Sequence, residues 1–149
     1  MLPLRDMIEI GGSGVFMITG YGITILIVDD EDRIRTMIGE HLDECGFKVL
    51  LACNADDALL AVNDFPEIDL VITDVKMPGA LNGFDFIERA YVTRPSLQTI
   101  VMSGFTEEAE TRRHVAHRFL KKPFTMTFLE IEVYDILKSK LIGSNTLDN

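Results

Sequence analysis

The run Ile23-Thr24-Ile25-Leu26-Ile27-Val28 ends abruptly in Asp29-Asp30-Glu31. The apolar part is rich in β-branched residues and has no polar face, the pattern of a strand buried on both sides. Glu31 to Cys45 then carries a helical stripe of Ile34, Ile38, Leu42 and Cys45, and Gly46 closes it. The same alternation continues down the chain. Phe47 to Leu51 reads as a second strand, and Ala55 to Phe65 as a second helix with Asn54 as its cap. A third strand over Ile68 to Thr73 precedes a helix over Gly83 to Thr93. A fourth, Leu97 to Met102, precedes a short polar helix over Thr106 to Val115. Phe119 and Leu120 centre a brief fifth strand, and Met126 to Leu141 forms the last helix with Leu129, Val133, Ile136 and Leu137 on one face.

Five strands, each followed by a helix after a turn of a few residues, predict an α/β fold built on a doubly wound, five-stranded parallel sheet. Right-handed crossovers leave few topologies open. In such folds the chemistry gathers outside the carboxyl ends of the strands. Residues 22–142 make up this unit. Residues 1–21 contain Gly11-Gly12-Ser13-Gly14 and read as an N-terminal extension or added linker outside the fold. Residues 143–149 read as a polar, frayed tail.

Size and charge narrow the function. The 149 residues amount to one ordinary domain, 47% hydrophobic and 26% charged, too apolar for a disordered chain. Against 14 basic residues stand 24 acidic ones, a formal charge of −10, which speaks against nucleic acid or an anionic membrane as partner. Cys45 and Cys53 are too few for a disulfide framework and read as small core residues in a reducing compartment. The longest apolar stretch, Val15 to Val28, is interrupted by Thr19, Gly20, Gly22 and Thr24 and falls short of the ~20 residues a membrane span needs. The expectation is a soluble, cytoplasmic protein without a secretory signal.

The strand ends carry the functional signal. Asp29, Asp30 and Glu31 follow the first strand, Asp74 the third, Ser103 and Gly104 the fourth, Lys122 and Pro123 the fifth. Two unit charges ~4 Å apart repel by ~4 kcal/mol at an effective dielectric near 20, so clustered aspartates require protonation or a cation. Hard oxygen donors with space for water and a phosphoryl oxygen suit Mg²⁺ better than zinc. With a lysine and a hydroxyl added, these are the parts for phosphoryl transfer onto a carboxylate.

Val28-Asp29-Asp30-Glu31, Asp74-Val75-Lys76-Met77-Pro78-Gly79, Met102-Ser103-Gly104 and Phe119-Leu120-Lys121-Lys122-Pro123-Phe124 together resemble the receiver domain of two-component response regulators. The resemblance runs from Ile23 to Leu141. It implies a flavodoxin-like (βα)5 fold with strand order 2-1-3-4-5. It also implies Asp74 as phosphoacceptor, with Asp30 and Asp74 binding Mg²⁺ directly, Asp29 acting through a metal-bound water and Lys76 contributing its backbone carbonyl. Ser103 becomes the switch hydroxyl, Lys122 the family's site lysine, Phe119 the aromatic switch position, and Pro123 the site of a cis peptide. The implied partners are a histidine kinase or histidine phosphotransfer protein as donor. A downstream protein would dock on the surface of the fourth helix, fifth strand and fifth helix.

Some features depart from the commonest pattern. The loop from Gly79 to Asn82 is one residue longer, and the stretch from Ser103 to Lys122 is shorter and lacks a glycine before the fifth strand. Both resemble receivers of hybrid histidine kinases and imply a short or partly unwound fourth helix. Phe119 replaces a frequent tyrosine.

Plainer roles compete at each position. Asp29 and Asp30 alone would serve as helix N-terminal charges. Ser103 alone fits a turn, Phe119 simple packing, and Phe105 a loop aromatic shielding the site. As phosphodonors or metal ligands the histidines read as poor candidates: His41 lies on a polar helix face near Glu40 and Glu44, and no paired ligand spacing surrounds His114 or His117. As a whole the chain also fits a receiver fold used only for docking. An aspartate-nucleophile phosphohydrolase needs a second acid two residues after Asp74, where Lys76 stands; the chain reads as a switch and not as a turnover enzyme.

Overall fold

The structure is a computed structural model. It describes residues 22–104 and 106–146, side chains through Lys138, and two short strands nearer the amino terminus. The remainder of residues 1–21, Phe105 and the last three residues lie outside the described residues, as do the expectations placed on them.

The sheet-forming strands are β1 Thr24–Val28, β2 Lys48–Ala52, β3 Ile68–Asp74, β4 Gln98–Ser103 and β5 Arg118–Lys121. The helices are α1 Asp32–Glu44, α2 Ala55–Asp64, α3 Gly83–Thr93, α4 Glu107–Arg112 and α5 Met126–Thr146. All five strands run parallel in the order β2-β1-β3-β4-β5, the order 2-1-3-4-5 of a flavodoxin-like doubly wound sheet. Ile8–Glu9 and Val15–Phe16 pair antiparallel as a separate two-stranded sheet. Two-residue strands are too short to leave a periodic signal in the sequence.

Alternation along the strands distributes the core to two faces. Ile25, Ile27, Leu70, Ile72, Ile100 and Met102 pack with Ile38 and Leu42 of α1 and Leu129, Val133 and Leu137 of α5. Leu26, Val28, Val71 and Val101 face the other way, onto Ala58 and Val62 of α2, Phe84 and Ile87 of α3, and Ala109 of α4. Fully burying each such side chain stabilises the fold by ~1.5–3 kcal/mol. Apolar residues on both sides of β1 are therefore what make it a central strand.

Local signals set the helix ends. Asn54 caps α2 by accepting the Asp57 amide at 2.7 Å. Asn82 and Asp85 form a reciprocal capping box at the start of α3. Gly46 supplies the left-handed turn, φ 97°, that closes α1 and redirects the chain into β2. After six residues α4 passes into a 3₁₀ turn, Arg113–Val115, so the fourth helix is short and partly unwound. At the other end α5 runs to Thr146, beyond the expected Leu141.

Cys53 departs from its expected core position. Cys45 is buried, but Cys53 is exposed where β2 ends, beside Asn54 and Asp57; neither forms a disulfide. The residue lies past the last paired position of an edge strand, where no second layer covers it. No helix among the described residues is long and apolar enough to cross a membrane.

Candidate functional site

Sheet order creates the site. β1 lies between β2 and β3, and the helices that follow β1 and β3 pack on opposite faces. The chain thus parts in two directions at the carboxyl ends of these strands, leaving a crevice. Asp29 follows the last residue of β1, Asp74 ends β3, Ser103 ends β4, and Lys122 follows β5. In register, Val28 lies opposite Thr73, Asp74 opposite Met102, and Ser103 opposite Lys121, so all four residues reach one edge at neighbouring levels.

Asp29 is fully buried. Its Oδ1 accepts the Glu31 amide at 2.9 Å, while Oδ2 has no hydrogen-bond partner among the described residues. Asp74 is also buried, and its Oδ1 accepts the Val75 amide at 2.8 Å. The Lys122 ammonium stands 3.3 Å from Asp74 Oδ1 and 3.8 Å from Asp29 Oδ2. The peptide between Lys122 and Pro123 is cis. Carboxylate oxygens of Asp29, Asp30 and Asp74 all lie within 4.8 Å of one another, with Asp30 exposed to solvent.

Burial raises the pKa of Asp29 above the ordinary carboxylate value, against the pull of the Glu31 amide, and Asp74 adds to the rise. Burial likewise raises Asp74, although Lys122 and the Val75 amide oppose it. One lysine thus fails to offset the desolvation of two carboxylates. A cavity of about 340 Å³ opens beside them, lined by Asp30, Glu31, Asp74, Lys76, Ser103, Gly104, Thr106 and Lys122. Its donors are hard oxygens, and the neighbouring Asp29 Oδ2, which accepts no hydrogen bond, provides an oxygen for a cation or cation-bound water. This set fits the Mg²⁺ that receiver domains generally bind at such a pocket.

Ser103 is buried at the rim, where its hydroxyl donates to the Gly104 carbonyl at 2.8 Å. Phe119 is half-buried on β5, with the Arg113 guanidinium 4.9 Å from its ring centre. The structure therefore brings Asp30, Asp74, Lys76, Ser103 and Lys122 around one cavity, sets the buried Asp29 carboxylate beside them, 3.8 Å from Lys122, and places Phe119 off it, against Arg113.

Two contributors escape a reading of motifs. At Gly83 an added Cβ would stand 2.1 Å from the Asp74 carbonyl oxygen, so only glycine lets α3 begin this close to Asp74. Thr106 lines the cavity while its Oγ1 caps α4 by accepting the Ala109 amide at 3.0 Å. A threonine followed by Glu107 and Glu108 is a legible cap, but not a legible site residue. The histidines lie elsewhere. His41 pairs with Glu130 at 2.9 Å, and His114 is exposed in the 3₁₀ turn. His117 Nδ1 lies 3.1 Å from both the Thr99 hydroxyl and the Tyr91 hydroxyl, a structural tie between β4, α3 and the entry to β5.

Comparison with known proteins agrees with this arrangement. Residues 25–134 match the family model of the response regulator receiver domain. The chain is 37% identical over 113 residues to the DNA-binding transcriptional regulator NtrC of Rhizobium meliloti (strain 1021), covering 72% of this chain and 22% of that protein. It is 31% identical over 121 residues to the sensor kinase CckA of Brucella abortus (strain 2308), covering 78% of this chain and 13% of that one. The chain thus spans well under a third of each of these relatives. Among solved structures, a response regulator receiver domain protein from Clostridium thermocellum superimposes with a TM-score of 0.73 at 29% identity, covering 80% of this chain and 98% of that one. With the motifs, the sheet order and the matched span in agreement, the chain belongs to the response regulator receiver domain family.

Proposed function

We propose that residues 22–142 act as a phosphorylation switch in which Asp74 takes a phosphoryl group from a phosphohistidine on a histidine kinase or phosphotransfer protein. The observation that carries this reading is the buried Asp74 carboxylate held 3.3 Å from Lys122, beside an Asp29 oxygen that accepts no hydrogen bond. Asp74 Oδ1 is engaged by the Val75 amide and Lys122, which leaves Oδ2 to attack phosphorus. A new O–P bond forms as the P–N bond of the donor breaks, and the departing imidazole takes a proton from solvent. Lys122 neutralises charge on the phosphoryl oxygens. Asp30 and Asp74 would hold Mg²⁺ directly, Asp29 through water and Lys76 through its carbonyl, and the ion would supply the positive charge that lets a dianionic phosphoryl group approach three carboxylates.

The switch follows from one hydrogen bond. The Ser103 hydroxyl leaves the Gly104 carbonyl for a phosphoryl oxygen, drawing the end of β4 inward. Phe119 then packs into the space vacated, and the surface of α4, β5 and α5 changes for a downstream protein. Phosphate stabilises one of two packings, a population shift that needs no separate catalytic domain. The setting is the cytoplasm, where such kinases present their phosphohistidine.

Intact-mass measurement after incubation with acetyl phosphate and Mg²⁺ tests the reading. The wild type gains one phosphoryl group, whereas Asp74→Asn and the chelated wild type gain none. An unmodified wild type with a folded, Mg²⁺-binding site would make the chain a docking module. Release of many equivalents of phosphate would make it a phosphohydrolase.

A further inference from the structure

A second group of metal-ligating side chains lies far from the aspartates. His41 and Cys45 stand four residues apart at the carboxyl end of α1, on one helix face, and Glu130 reaches them from α5. His41 and Cys45 lie nine and thirteen residues past Asp32, the first residue of α1, so at ~1.5 Å each they stand about 14 to 20 Å along the helix from its end nearer the aspartate cluster. One nitrogen of His41, Sγ of Cys45 and one carboxylate oxygen of Glu130 all lie within 4.8 Å of one another. His41 Nε2 and Glu130 Oε2 are already 2.9 Å apart. A cavity of about 420 Å³ opens at the group, with Glu44 and Tyr134 completing its lining.

We propose that His41, Cys45 and Glu130 form a Zn²⁺ site that clamps α1 to α5. A thiolate, an imidazole and a carboxylate are the three donor types that zinc accepts in tetrahedral coordination, at ~2.0–2.3 Å each. Those bond lengths set ligand atoms roughly 3.5 Å apart, so closing the present group onto an ion takes side-chain adjustments of about 1 Å. The cavity leaves a fourth position for water. The mixed donor set distinguishes the site from the all-oxygen aspartate cluster, which suits Mg²⁺. On binding, the Cys45 S–H bond breaks, an S–Zn bond forms, and the proton passes to solvent. The proton that His41 Nε2 donates to Glu130 in the metal-free chain moves by way of solvent to Nδ1, which frees Nε2 to coordinate. Burial and the nearby Glu130 push the free Cys45 thiol up to about 11, so without metal the thiol stays protonated. The ligands come from opposite ends of the chain, 89 residues apart for His41 and Glu130, so the ion would tie the first helix of the fold to its last.

The test titrates Zn²⁺ into the metal-free full chain in excess Mg²⁺, which occupies the aspartate cluster. A Cys53→Ser background removes the exposed thiol. One equivalent binds, and Cys45→Ser and Glu130→Gln each weaken binding by more than about a hundredfold, beyond the ~10–100-fold that loss of an outer partner costs. Co²⁺ in place of Zn²⁺ gives the Cys53→Ser chain a thiolate-to-cobalt charge-transfer band with intense tetrahedral d–d bands, a readout that depends on no ligand variant folding. Failure of Zn²⁺ to bind in excess Mg²⁺ overturns the proposal. So does binding that survives Cys45→Ser, or a Co²⁺ complex without the thiolate band.

Discussion

Two charge clusters in this molecule share a composition and respond to it in opposite ways. At the strand ends Asp29 and Asp74 face Lys122 at 3.8 and 3.3 Å. On the outside, where α4 lies against α3, Asp85, Glu88 and Glu108 surround Arg112 at 3.0, 2.5 and 3.2 Å. The outer group behaves as ion pairs ordinarily do. The Asn82 amide and then Arg112 hold Asp85 below the usual carboxylate value. The inner group does the reverse, because burial raises both Asp29 and Asp74 despite their lysine. Solvation, more than the number of partners, sets the sign. The inner cluster therefore stores unsatisfied charge that an incoming cation relieves, whereas the outer one merely fastens a short helix.

Removing each cation in turn sharpens the contrast. Lys122→Met has the largest effect, because stripping one partner from a buried group leaves uncompensated charge and costs about 3 kcal/mol. Urea denaturation at neutral pH without metal measures this loss, and saturating Mg²⁺ is expected to recover much of it. Equal stability of Lys122→Met and wild type in chelator would break the comparison.

Titration comes next in size. Asp29 and Asp74 lie above 3.8 when folded, so the folded state holds more protons there than the unfolded state. Their contribution is fullest below 3.8 and is lost as the pH rises through the raised folded values. The metal-free protein therefore gains stability from these groups as pH falls from neutral towards 3.8, and Asp29→Asn flattens that gain while raising the neutral-pH urea midpoint. Asp85 works in the opposite sense, with stability present above 3.8 and lost as pH falls through its lowered folded value. A neutral-pH midpoint unchanged by Asp29→Asn would show that the buried cluster carries no repulsion.

The smallest effect belongs to Arg112→Gln, expected to cost about 1 kcal/mol, since partly exposed pairs are screened even when networked. Its guanidinium also lies 5.2 Å from the Phe84 ring centre, so the variant loses packing as well as charge. The wild-type advantage over Arg112→Gln should shrink in 1 M salt, where the Debye length falls to ~3 Å. The Lys122 difference should persist there, being shielded by protein.

Much of this was open to reading along the chain. Unbroken apolar runs at residues 25–28 and 70–72 mark central strands because both their faces are covered, and the polar residues that end them mark the site edge. Asn54 announces the start of α2 through a local hydrogen bond that involves only neighbouring residues. Cys53 is misread because a cysteine beside an apolar run carries no mark of whether a second layer covers it. Gly83 is legible as a helix start, but its reason is a carbonyl nine residues back that only packing brings to 2.1 Å. His117 is invisible for the same reason, since its partners lie on other elements, and of the His41–Cys45–Glu130 group the chain shows only the four-residue spacing of His41 and Cys45, not the Glu130 that α5 brings to them.

The sequence by itself determined which segments become strands and helices, and that its aspartates, serine and lysine fall where strands stop. Those features depend on period, propensity and short-range hydrogen bonds, which a linear reading contains. Packing alone decides that Asp29 loses its water while one oxygen accepts no hydrogen bond, and that α5 sets Glu130 beside His41. Burial and pairing across 89 residues arise when distant segments exclude solvent together, and no local pattern encodes the dielectric that results.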